Sequence, residues 1–114
     1  MQVIERKHLK SFIAKDGSEI REFYHSENMS FADAVVNAGK TTKLHYHETS
    51  EEIYFILEGK GLMEIEGEES EVSKGQAIVI PPMQRHRIRN TGNQELMFLC
   101  ICSPPYSDDD TVLE

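Results

Sequence analysis

Apolar and polar residues alternate along most of this chain in short runs that stop at glycine, proline or a small polar cluster. A period of two is the mark of half-buried β-strands, whose side chains point to opposite faces in turn. Strands are expected over residues 19–25, 31–37, 43–47, 52–59, 62–67, 70–73, 76–82, 85–90 and 95–103. Gly39, Gly59, Gly61, Gly67, Gly75 and Gly92 fall between runs, where left-handed backbone is wanted. Only residues 5–12 hint at a short helical turn. Many short strands with regular turn signals predict an all-β sandwich or barrel.

Two runs break the alternation. In 52–57, Tyr54 and Ile56 alternate with Ile53, Phe55 and Leu57, so both faces are apolar, and 96–102 makes the same demand. A strand with one face in water does not look like this. The outer face therefore needs a cover, from the N-terminal strands and from a second subunit, which predicts a homodimer. The division follows: N-terminal strands packing on the barrel (1–36), a barrel core (37–103), and a C-terminal surface extension (104–114) opened by the strand-ending Pro104–Pro105.

At 114 residues the chain is one domain. It carries 20 acidic against 12 basic residues, a formal charge of −8, which argues against nucleic acid or an anionic membrane as partner. No apolar run is long enough to cross a bilayer as a helix, and the N-terminal residues have charges where a secretion signal needs an apolar stretch, so a cytoplasmic protein is expected. Cys100 and Cys102, two apart on one strand, are poorly placed for a disulfide and read as small buried hydrophobes.

The chemistry gathers around "HYHETSEE", residues 45–52. His45 and His47 share one face of their strand, with Leu44 and Tyr46 on the other. The turn after them is expected to return the next strand antiparallel beside the first, bringing Glu52 level with the pair and leaving Glu51 outside. After Pro81–Pro82 a new strand opens in which His86, Ile88 and Asn90 share a face and Arg87 and Arg89 take the other. Three imidazoles and a carboxylate in a sheet interior call for a cation, and would leave open coordination positions on an octahedral ion. Singly, each feature is commonplace: His-x-His pairs, Glu-Glu and Pro-Pro all occur without function.

Together, Gly39, His45, His47, Glu52 and Gly59, then Gly75, Pro81, His86 and Asn90, match both motifs of the cupin family, and the chain resembles a small single-domain metal-binding cupin. Met83 departs from the pattern, standing where the family most often has glycine. The resemblance implies an antiparallel jelly-roll (double-stranded β-helix) barrel. It also implies a single divalent transition metal (Mn, Fe, Ni, Zn, Co or Cu) bound by His45, His47, Glu52 and His86. The implied function is a metalloenzyme acting on a small hydroxylated or carboxylated metabolite, as a dioxygenase, isomerase or epimerase, or lyase or decarboxylase. The alternative is a non-catalytic metal-dependent module binding a sugar or acid. Tyr54 is the candidate catalytic acid. Arg85 and Met83 are candidate substrate contacts, and His25 is set outside the metal site.

Overall fold

The computed structural model describes all of residues 1–114, and strands form where the sequence alternates. They are β1 (Phe12–Ile13), β2 (Glu19–His25), β3 (Ser30–Val36), β4 (His45–His47), β5 (Glu51–Glu58), β6 (Lys60–Ile65), β7 (Glu68–Ser73), β8 (Ala77–Ile80), β9 (His86–Asn90), β10 (Leu96–Ser103) and β11 (Thr111–Leu113). A single 3-10 turn, Arg6–His8, stands in the stretch that hinted at helix.

Every pairing is antiparallel. Six strands in the order β1-β2-β3-β10-β5-β8 make one sheet, and five in the order β11-β4-β9-β6-β7 make the other. This is the all-β jelly roll. The core between the sheets includes Val36, Tyr54, Ile56, Met63, Ile88, Leu96 and Phe98. Burying a side chain of this size stabilises the fold by about 1.5–3 kcal/mol. Gly59, at the β5–β6 junction, has φ +87°, and a Cβ there would lie 2.9 Å from the Glu95 carbonyl oxygen, so only glycine fits.

Two expectations are corrected. β4 and β5 do not pair side by side: β4 lies between β9 and β11 in the small sheet, and β5 between β10 and β8 in the large one. The turn at 48–50 crosses from sheet to sheet. Asp110 holds it there, accepting from the Thr49 N–H and hydroxyl (2.9 and 2.8 Å) and the Ser50 N–H (3.1 Å). The tail is also more than an extension, because β11 completes the small sheet, pairing Thr111 with His47 and Leu113 with His45.

The outer face of the large sheet is apolar, as the doubled pattern of β5 requires. Phe31, Ile101, Ile53 and Val79 lie in one cross-strand row. Ile53 and Phe55 are more than one third exposed, and Val79 is 62 % exposed. The N-terminal segment reaches part of this sheet, where Arg6 pairs with the buried Asp33.

Candidate metal centre

The alternation of β4 turns His45 and His47 inward, and β9, its neighbour, sets His86 directly opposite His45. All three rings are buried, His86 completely. Their ligand nitrogens lie within 4.8 Å of one another. Glu52 comes from the opposite sheet and faces them across the interior. Its Oε1 is 3.1 Å from His47 Nε2 and 3.6 Å from His86 Nε2. Glu51 points outward and is exposed.

Partners behind the rings decide where the protons sit. His45 Nδ1 is 2.8 Å from the Lys43 carbonyl oxygen and His86 Nδ1 is 2.9 Å from that of Gln84. A carbonyl only accepts, so both Nδ1 atoms donate. His47 Nδ1 is 3.0 Å from Thr111 Oγ1, and the Thr111 hydroxyl gives its own proton to the Ser107 carbonyl. His47 therefore also donates through Nδ1. In the neutral rings all three Nε2 atoms present bare lone pairs to the interior, and two of them face a carboxylate oxygen. Lone pairs and a carboxylate at such distances repel unless a proton or a metal ion lies between them. His86 Nε2 is buried with no hydrogen-bond partner, which in a folded interior marks a group awaiting one. The donor set and its orienting partners fit a divalent metal.

Electrostatics agree. Burial, reinforced by the nearby charge of His86, pushes the His45 pKa down and favours the neutral ring that ligates metal. For Glu52, burial alone would push the carboxyl up. The His47 and His86 rings, 3.1 and 3.6 Å away, outweigh it and hold the group well below the usual carboxylate range. Its other oxygen, Oε2, accepts from the Cys102 thiol at 3.2 Å. Burial first, and then the Glu52 charge, push the Cys102 and Cys100 thiols far up, so both stay protonated.

Beside the rings lies a cavity with about 40 Å³ of room for water, enough for a few waters or the reactive end of a small molecule. Tyr54 lines it, with its ring 4.4 Å from Phe98 centroid to centroid. Burial and the Glu52 charge raise the Tyr54 pKa well above that of a free phenol. Arg85 and Met83 do not line the cavity. The Arg85 guanidinium sits over the Tyr46 ring and bonds Glu114 at 2.7 Å, and Met83 is 53 % exposed. His25 is exposed and bonds Glu22. Sequence reading missed Asp16, Cys102 and Thr111 at this centre. Asp16, in the β1–β2 turn, brings Oδ2 to 3.9 Å from His45 Nε2.

The family described as "Cupin domain" matches residues 33–102. The chain is 48 % identical over 118 residues to the uncharacterized protein MJ1618 of Methanocaldococcus jannaschii, covering 97 % of this chain and 94 % of that one. It is 33 % identical over 81 residues to the oxalate-binding protein of Thermotoga maritima, covering 71 % and 67 %. Among solved structures, KdgF from Halomonas sp. superposes with a TM-score of 0.84 at 20 % identity, covering 96 % and 97 %, a likeness of fold.

Proposed function

This chain belongs to the cupin family, and on that premise we propose that it is a metalloenzyme. It would hold one divalent transition metal through His45, His47, His86 and Glu52 and act on a small hydroxylated or carboxylated metabolite. The observation that supports this most is the set of three Nδ1-anchored rings whose Nε2 lone pairs converge, one of them with no partner at all. Bound there, the ion would supply Lewis acidity to a substrate oxygen.

The chain's own residues contribute the rest. Phe98 and Ala32 present apolar surface to the cavity. Tyr54, kept protonated by burial and by Glu52, can donate a hydrogen bond to a substrate oxygen. The apolar row Phe31–Ile101–Ile53–Val79 fits a homodimer interface, and the free thiols suit the reducing cytoplasm.

A second reading, a non-catalytic metal-dependent binding module, is favoured by one observation, the relationship to an oxalate-binding protein. Elemental analysis followed by turnover assays separates the two. Protein purified without added metal is loaded with the ion it carries and assayed against hydroxylated and carboxylated metabolites, with oxygen uptake followed. Turnover that falls at least tenfold in Tyr54→Phe supports the enzyme. Micromolar binding of one metabolite with no turnover of any would replace it with the binding module.

A further inference from the structure

Asp16 is the buried carboxylate at this centre that the ligand set does not use. Its turn is fixed on both sides: Lys43 N–H donates to the Asp16 carbonyl at 2.8 Å, and Gly17 N–H to that of Ala14 at 2.9 Å. The residue is 8 % exposed. Oδ1 accepts from the Ser18 N–H (3.0 Å) and hydroxyl (2.6 Å), while Oδ2 accepts no hydrogen bond and borders the cavity beside His45. Glu22 brings a second carboxylate to the cavity from β2, with its Oε2 3.1 Å from His25 Nδ1. No lysine or arginine lines the cavity. The nearby cations are engaged elsewhere: Lys15 with the carbonyls of Asp108 and Thr111, Arg85 with Glu114, and Arg6 with Asp33.

We propose that Asp16 makes this cavity a site for a neutral, hydroxyl-bearing ligand and turns away dianions such as oxalate. This rests on the metal-centre reading above. Glu52 offsets one of a divalent ion's two charges and Asp16 the other, with Glu22 adding a further carboxylate at the rim, so only a neutral ligand enters without adding to the negative charge. A dianion enters a site with nothing left to neutralise it, in surroundings where charge is poorly screened. The free Oδ2 is an acceptor at the cavity wall and needs a donor, which a hydroxyl supplies and an oxalate does not. The orphaned His86 Nε2 marks the metal position that the rings surround beside this cavity.

The test uses cobalt-loaded protein, whose visible absorption reports ligand exchange at the metal. It is titrated with oxalate, glycolate and dihydroxyacetone, which offer paired oxygens at charges of about −2, −1 and 0. Asp16→Asn keeps the Ser18 bond and removes the charge. It is expected to tighten oxalate by about tenfold or more and glycolate by less, and to leave dihydroxyacetone unchanged or weaker. Unchanged or weakened oxalate binding would overturn the proposal. Glu22→Gln, on the exposed side, gives a second reading should Asp16→Asn fail to fold: oxalate tightened two- to threefold supports the proposal, and no change overturns it. Protein that takes up no cobalt sinks the metal-centre reading and this with it. A loaded centre indifferent to ligand charge sinks this alone.

Discussion

The thiol of Cys102 donates to Glu52 Oε2 at 3.2 Å, and Glu52 Oε1 is thereby left to face His47 and His86. The two residues are register partners on adjacent strands β10 and β5. A thiol raised by burial stays a donor and does not compete for the metal. Cys102→Ala is expected to free the carboxylate and weaken metal affinity by roughly tenfold, and Cys102→Ser to retain most of it. A chelator-competition titration measures both.

Thr111 orients His47 from a strand 64 residues away, accepting its Nδ1 proton at 3.0 Å. Thr111→Val keeps the shape and removes the acceptor. Metal affinity should fall by about 10- to 100-fold, while denaturant unfolding shifts by no more than about 1–2 kcal/mol.

Met83 occupies the position where the family pattern has glycine, and its backbone lies at φ +70°. Its N–H donates to the His47 carbonyl at 2.7 Å, so the strained turn abuts a residue of the proposed ligand set. The left-handed conformation costs a non-glycine residue about 1–2 kcal/mol. Met83→Gly should therefore stabilise the fold by about 1 kcal/mol net of the flexibility glycine adds to the unfolded chain. Met83→Ala should give no gain. Urea unfolding of the two variants checks this.

Asp110 ties the sheet-crossing turn to the tail. Burial pushes its carboxyl up, but hydrogen bonds from Thr49 and Ser50 outweigh this and lower the pKa. A depressed folded value means that the stabilisation is complete above the unfolded carboxyl's pKa of about 4 and is lost as pH falls through the folded one. Asp110→Asn should cost about 1 kcal/mol at neutral pH and progressively less as pH falls through the lowered carboxyl, so the two unfolding curves converge in acid. A constant gap across that range would show that the charge is not what holds the turn.

How much of this was legible in the sequence follows from which contacts are local. The inward faces of β4, β5 and β9 follow from alternation, which sets His45, His47, Glu52 and His86 on interior faces, although the side-by-side pairing expected to bring Glu52 to the rings does not form. The route taken by the chain at 48–50 does not follow from alternation. "ETSE" suits a hairpin as well as a crossing between sheets, and the residue that decides is Asp110, some 60 positions on. Thr111 was hidden in the same way, because "SPPYSDDD" reads as a strand breaker and the strand begins just after it. Asp16 sits in a turn sequence that any surface loop would use, and only the Lys43 bond to its carbonyl reveals that the turn folds over the rings.

The most direct test of the central claim is anomalous diffraction at the absorption edge of the metal that the purified protein carries. The account predicts one peak per chain, about 2.0–2.2 Å from the Nε2 atoms of His45, His47 and His86 and from a Glu52 oxygen, absent from crystals of the folded Glu52→Ala, His47→Ala double variant. No peak at this centre, or a peak held only by surface carboxylates, would contradict it.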